Sequence, residues 1–383
     1  MLLLSGYHAS SHRFWSDQLI TGLPEFDWTL VALADRHFYW RIRSNALTFA
    51  LEHRDALQQN YDLIIATSMV DLCNLRGLLP TLSSVPAILY FHENQFAYPE
   101  RQVDTDTQHA RRNSNLINAQ LTSIYSAMSA QCLVFNSRFN HDTFFTGVAE
   151  LAAKMPDGIP KGFARESFEK SAVIPVPVNG ADALHRTITQ DNPVEIVWNH
   201  RWEYDKQPQI FFSALEKLIS HGIDIKVHVM GQSFRQVPDC FGDFQNRFAD
   251  HLLTWGYQPE DKYRQILRRA HIVVSSALHD FQGLGMLEAI MAGCTPVAPD
   301  RMAYPEYMPS ALLYDTPDDQ PESSREQYEA NALFNKICSV IDLSLAQPAD
   351  GVPAINADSY RTENVLPAYK SCFSDLIAGP PDT

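Results

Sequence analysis

The chain has 383 residues, of which 45% are hydrophobic and 20% charged, with a formal net charge of −15. That length divides more naturally into two domains than one, and the composition is globular, without repeats or low-complexity tracts. The negative balance excludes a protein that coats nucleic acid nonspecifically, because such binding needs broad neutralisation of phosphates; a local basic site stays open.

The opening residues MLLLSGYHASSH carry no basic segment and only a short apolar run, so no signal peptide is expected. No uncharged apolar run approaches the ~18 residues that span a bilayer. The six cysteines are widely spaced with no CxxC pair. They read as reduced thiols of a cytoplasmic protein with no membrane association.

Short apolar runs alternating with helix-period segments indicate α/β units and parallel sheets. The first half offers strands at Leu2–Leu4, Trp28–Leu33, Tyr61–Ala66, Ala87–Phe91, Gln131–Phe135 and Ala172–Val176. Between the second and third lies DRHFYWRIRS, where Arg36, Arg41 and Arg43 interleave with Trp40 and other aromatics, a mixture suited to phosphates and unstacked bases. It also suits a helix start whose aromatics are buried. Asp104-Thr105-Asp106 reads as a solvated acidic turn, and Gly147–Lys170 as a long mobile insertion.

The Pro-, Asn- and Gly-containing stretch Val173–Asp182 reads as a linker. A second series follows, with strands at Glu195–Trp198, Lys226–Met230, His271–Ser275, Thr295–Ala298 and Leu312–Tyr314, and helices near Gln207–Ser220, Asp261–Arg269 and Leu284–Ala292. A last helix is expected over Asp358–Ile377. The expected fold is α/β with two Rossmann-like, doubly wound domains facing a central cleft. Their bounds are 1–183 and 184–355, with 356–383 packing back on the first.

Ligands of such sheets bind beyond the carboxyl ends of the strands. Four segments there are rich in chemistry. HDFQGLGMLEA places Asp280, then Gly283 and Gly285, then Glu288 on the helix that starts there; close backbone N–H groups and a helix start suit a phosphate or sugar, and Glu288 suits ribose hydroxyls. Arg201 and Lys206 in VWNHRWEYDKQP can neutralise a diphosphate. His92, Glu93 and Asn94 follow a strand and can bind hydroxyls or exchange protons. The first loop, SGYHASSH, can present N–H groups; its His8 and His12 lack a third ligand for zinc.

The second half resembles retaining glycosyltransferases of the GT-B fold, family four, whose E-x7-E motif aligns with Asp280 to Glu288 and whose R-x4-K pair aligns with Arg201 and Lys206. Across nearly the whole chain YFHENQ, FNSRFN, HRWEYDK, WGYQPEDKY, HDFQGLGMLEA and YPEYMP resemble the tRNA-queuosine mannosyltransferase family. The resemblance implies transfer of mannose from GDP-mannose to queuosine at the tRNA wobble position, with no metal.

On this reading the expected catalytic residues are Arg201, Lys206, Asp280 and His92. Donor binding falls to Phe281, Gln282, Gly283, Leu284, Gly285 and Glu288. Acceptor binding falls to Ser11, His12, Arg36, Trp40, Arg41, Arg43, Glu93, Asn94, Asn136 and Ser137, the arginine-rich segment meeting the anticodon arm. Asp280 stands where the family has Glu, and Ala9-Ser10 where it has a glycine pair. Alternatives are a same-fold glycosyltransferase using another sugar or a glycan, lipid or small-molecule acceptor, and a noncatalytic tRNA- or nucleotide-binding module.

Overall fold

The structure, a computed structural model, describes residues 1–97, 106–155, 169–180, 186–233, 237–316, 322–346, 353 and 355–379. The chain divides into two compact units, Met1–Pro177 together with Thr362–Thr383, and Val178–Arg361.

The first unit holds a parallel sheet of strands β1 (Leu2–Ser5), β2 (Thr29–Ala32), β3 (Ile64–Thr67), β4 (Ala87–Phe91), β5 (Cys132–Phe135) and β6 (Ser171–Val173) in the order β2-β1-β3-β4-β5-β6. β1, β3 and β4 are buried throughout, as strands covered by helices on both faces must be. The helix Thr362–Ala378 completes this core: Trp15 Nε1 donates to Tyr369 Oη at 3.0 Å, and the Phe373 ring meets Phe26 and Trp28 at about 6 Å. A 3-10 turn, Asp358–Tyr360, precedes it.

The second unit repeats the architecture with β7 (Val194–Asn199), β8 (Ile225–Met230), β9 (Leu252–Gly256), β10 (Ile272–Val274), β11 (Thr295–Pro299) and β12 (Leu313–Tyr314), ordered β12-β11-β10-β7-β8-β9. Every recorded strand pairing in both sheets is parallel. The direction of winding reverses between β1 and β3 in one sheet and between β7 and β10 in the other. A crevice for a ligand opens at such reversals, at the carboxyl ends of the strands.

Several elements depart from the sequence reading, β9 and the segment around Gly147 among them. β9 was not expected: its residues are mostly half-exposed, so LLTWG shows no continuous apolar run. The insertion expected from Gly147 instead begins as helix, since Arg138–Lys154 is one helix; Gly147 lies inside it because a Cβ there would come within 2.4 Å of Phe96. Residues 156–168, Asp104 and Thr105 lie outside the described residues, and Asp106 opens the helix Asp106–Met128. Among the described residues no helix is long and apolar enough to cross a membrane.

Candidate active site

In the second unit the chemistry gathers at the reversal between β7 and β10. β7 ends at Asn199 and the chain turns through Arg201 and Glu203 into a 3-10 turn, Tyr204–Lys206. Ser276 Oγ, just past β10, donates to Lys206 O at 2.7 Å, and Leu278 N donates to Asp205 O at 2.8 Å. These bonds lock the Lys206 turn to the loop that carries Asp280.

Lys206 is buried at 7% exposure, with Nζ donating to His279 O and lying 3.5 Å from Asp205 Oδ2 and 3.8 Å from Asp280 Oδ2. A buried ammonium is tolerated only with such partners. Asp280 accepts from Gly283 N at 3.1 Å through Oδ1 and from the Tyr304 hydroxyl at 3.1 Å through Oδ2. Burial pushes its carboxyl up, but Lys206, His200, His279 and the Tyr304 hydroxyl together outweigh this and hold it below the usual range. Its side chain keeps 22% exposure, so one edge faces solvent. With one methylene fewer than Glu, the carboxylate stays against this loop.

Beside it His200 is lowered to about 4, first by burial and then by Lys206. Arg201 is 47% exposed and pairs with Glu203 at 2.9 Å. Gly283 takes φ +78° at the start of helix Leu284–Met291, where a Cβ would meet Tyr307 Oη at 2.7 Å and Tyr304 at 2.9 Å. Phe281 and Gln282 are buried side chains, so that loop can offer a ligand mainly its backbone. Leu284 and Gly285 form the first helical turn, and a Cβ on Gly285 would press Asn199 at 3.0 Å. Glu288 Oε2 accepts from the Tyr263 hydroxyl at 2.8 Å, while Asn199 Nδ2 donates to that hydroxyl at 2.9 Å. Burial raises the Glu288 carboxyl, partly offset by Tyr263.

In the first unit the reversal between β1 and β3 carries histidines instead of ion pairs. His12, on the first turn of helix Ser10–Gly22, is 2% exposed and stacks on His92 from the end of β4, with centroids 4.1 Å apart. His12 Nε2 lies 3.5 Å from Glu93 Oε2. His8 Nδ1, His12 Nδ1 and His92 Nε2 are buried without a protein partner among the described residues. Burial, then the other histidines, holds His92 well below its ordinary value, and burial followed by His12 lowers His8. Neutral rings with open nitrogens can both donate to and accept from uncharged hydroxyls. Ser11 stands on the same helical turn, half-exposed.

Three expected acceptor residues turn inward. Asn94, 1% exposed, directs Nδ2 to Asn140 and Thr143, while its Oδ1 accepts from Phe96 N and Ala97 N at 2.9 and 3.0 Å. Asn136 Nδ2 donates to His92 O at 2.9 Å and its Oδ1 accepts from Asn140 at 2.8 Å. Ser137 caps helix Arg138–Lys154, accepting from Asn140 N at 3.0 Å. These buried side chains hold the His92 turn in place. Arg36, Trp40 and Arg43 are exposed and Arg41 half-exposed, on and just before helix Phe38–Glu52.

The sequence reading missed Tyr263, Tyr304, Tyr307, His200 and Asp205. Tyr263 closes WGYQPEDKY and Tyr304 and Tyr307 lie in YPEYMP, so their motifs were visible although their contact with Glu288 and Asp280 was not.

A relative from Drosophila melanogaster, a tRNA-queuosine alpha-mannosyltransferase, is 30% identical over 392 residues, covering 99% of this chain and 97% of the relative. The chain belongs to the tRNA-queuosine alpha-mannosyltransferase family. The N-terminal part of that family matches residues 1–178. The fold is GT-B. Sucrose-phosphate synthase from Thermosynechococcus elongatus superposes with a TM-score of 0.67 at 13% identity, covering 99% of each chain. Anabaena HepE, solved in complex with UDP, superposes at 0.62 and 13% identity over 97% of this chain and 99% of its own. For a glycosyltransferase of this family, the paired cation and acid of the second unit and the stacked histidines of the first are the two places where chemistry concentrates.

Proposed function

We propose that this protein transfers mannose from GDP-mannose to queuosine at the wobble position of tRNA, in the cytoplasm and with retention at the sugar carbon. The observation that carries the donor side is Lys206, held buried beside Asp280 at the end of β7, with the half-exposed Arg201 in the same turn. Family membership supports the acceptor. In this reading Lys206 and Arg201 neutralise the diphosphate, Glu288 accepts from ribose hydroxyls, and Asp280 with the Phe281–Gly285 backbone holds the sugar.

His92, beside His12 and Glu93, orients a hydroxyl. The bond from the sugar C1 to the diphosphate oxygen breaks, and GDP leaves with the electron pair. An acceptor hydroxyl oxygen bonds C1 from the same face and its proton passes to the departing diphosphate. Preorganised cations at the developing charge stabilise that state, so the mechanism calls on no metal.

The test is mass analysis of nucleosides from queuosine-containing tRNA incubated with the protein and GDP-mannose, beside tRNA lacking queuosine. A hexose added only to queuosine is expected, with rate unchanged by EDTA. Transfer to a different acceptor, or no transfer despite donor hydrolysis, sinks the acceptor assignment; loss of activity in EDTA that Mn²⁺ restores sinks the metal-free mechanism.

A further inference from the structure

Helix Phe38–Glu52 is fixed by one face and bare on another. Ile42, Asn45, Ala46 and Phe49 are buried, and Asn45 ties the helix to the next loop by donating to Met69 O at 2.8 Å and accepting from Asp71 N at 2.9 Å. Its first turn is held by the Phe38 ring, edge-on to Tyr7 at 5.6 Å. Tyr7 lies in the loop that carries His8 and leads to His12, so the helix start adjoins the histidine site.

On the outer face Trp40 is 75% exposed and Tyr39 44%. Leaving an indole in water forgoes the burial that usually drives Trp inside. Arg36 and Arg43 are exposed around it, and Arg41 is half-exposed. From Arg36 to Leu51 the sequence has three arginines and no acid, in a chain of net charge −15. Among the described residues no carboxylate pairs with any of the three. A strip of three arginines with no ion-paired carboxylate, bounded by Asp35 and Glu52, is complementary on an acidic protein to a polyanion, and an exposed indole among guanidinium groups offers a π-face on which an unstacked base can lie.

We infer that this strip is a docking surface for a single-stranded RNA loop: Trp40 stacks on an unpaired base next to the one being modified, while Arg36, Arg41 and Arg43 hold the flanking phosphates. The inference rests on the tRNA reading above and adds how the loop is gripped. A base in a loop reaches the histidines only if its neighbours are splayed and held; stacking supplies the hold without sequence demand.

Binding of a fluorescent RNA stem-loop with an unpaired seven-residue-type anticodon loop to the full chain tests this, measured by anisotropy across a salt series. Trp40→Ala is expected to weaken binding about 10-fold or more, with Trp40→Phe restoring most of it. Arg43→Ala is expected to lower the slope of log affinity against log salt by about one. The rise in Tm caused by GDP, read on the same variants, is expected to stay at the wild-type value and shows that they fold. Wild-type affinity and salt slope in both variants, alongside wild-type mannosyl transfer to tRNA, overturn this surface while leaving the proposed function standing. A wild-type protein that transfers mannose to an acceptor other than RNA overturns both.

Discussion

The two units share a winding pattern and place their functional groups at the same topological point, yet the contents differ. At the β7/β10 reversal charge is dense: Lys206 between Asp205 and Asp280, with Arg201 and Glu203 beside it. At the β1/β3 reversal the groups are the stacked imidazoles of His12 and His92, the latter held toward its neutral form by burial, and one carboxylate, Glu93. A fixed buried cation suits a ligand that arrives with charge and leaves with more of it. Neutral imidazoles suit hydroxyls, whose protons must be held without being removed in advance. The fold supplies the same position in each unit, and the residues after each strand set the chemistry it offers.

The sharpest way to break this contrast is Lys206→Ala. It is expected to cut turnover on the order of 10²-fold or more, as loss of preorganised charge does, and to cost about 3–5 kcal/mol of stability because Asp205 and Asp280 lose their buried counter-ion. Arg201→Ala is expected to lower turnover similarly while changing stability by under about 1 kcal/mol, since its partner pair is half-exposed. Steady-state kinetics and urea denaturation on both variants decide it; equal stability losses contradict the buried-pair description.

Acid comes next. His200 is neutral when folded, down to about 4. Between 6.5 and that value the unfolded chain binds the proton that the folded chain refuses, so this contribution is fully present above 6.5 and lost as pH falls. The slope is about 1.4 kcal/mol per pH unit, about 3 kcal/mol in all. Denaturation at pH 7 and pH 5 is expected to give a smaller difference in His200→Gln than in wild type; an unchanged difference removes His200 from the account.

For the first unit, His12→Phe is expected to raise the KM for tRNA about 10-fold, in line with one lost buried hydrogen bond, with the GDP-induced shift in Tm unaltered. A changed GDP shift instead contradicts the division between hydroxyl and phosphate sites. The smallest effect belongs to Tyr263→Phe, which frees Glu288: about a 3-fold rise in donor KM, with the tRNA KM unchanged, follows from one hydrogen bond of about 0.7 kcal/mol.

Strands of buried β-branched and aromatic residues, such as AILYF in β4, announce themselves because both faces are covered. LLTWG at the sheet edge does not, since only β8 pairs with it. Helix Cys240–Arg247, CFGDFQNR, is hidden by its length instead: its buried face is only Phe241 and Phe244, one turn apart, too short a run for a helical period to register. At the candidate sites, Arg201 and Lys206 stand out in the sequence as charge soon after a strand, and Glu288 as an acid on the helix that follows a pair of glycines. Asn94 and Asn136 also close the turn after their strands, a use that depends on the positions of Asn140 and Thr143 and is not written in the local sequence. Tyr263 and Tyr304 reach their carboxylates across 25 and 24 residues of chain, a convergence that spacing does not encode.

The return of helix Thr362–Ala378 to the first unit has a consequence for biosynthesis. Trp15 and Tyr369, hydrogen-bonded in one core, are separated by 354 residues. The second unit is contiguous and has all its residues in hand before that helix is made. The unit that emerges first from the ribosome is therefore finished last, and its half-built core, with Trp15 and Tyr90 awaiting Tyr369, is the stretch on which a chaperone or a protease has the longest time to act.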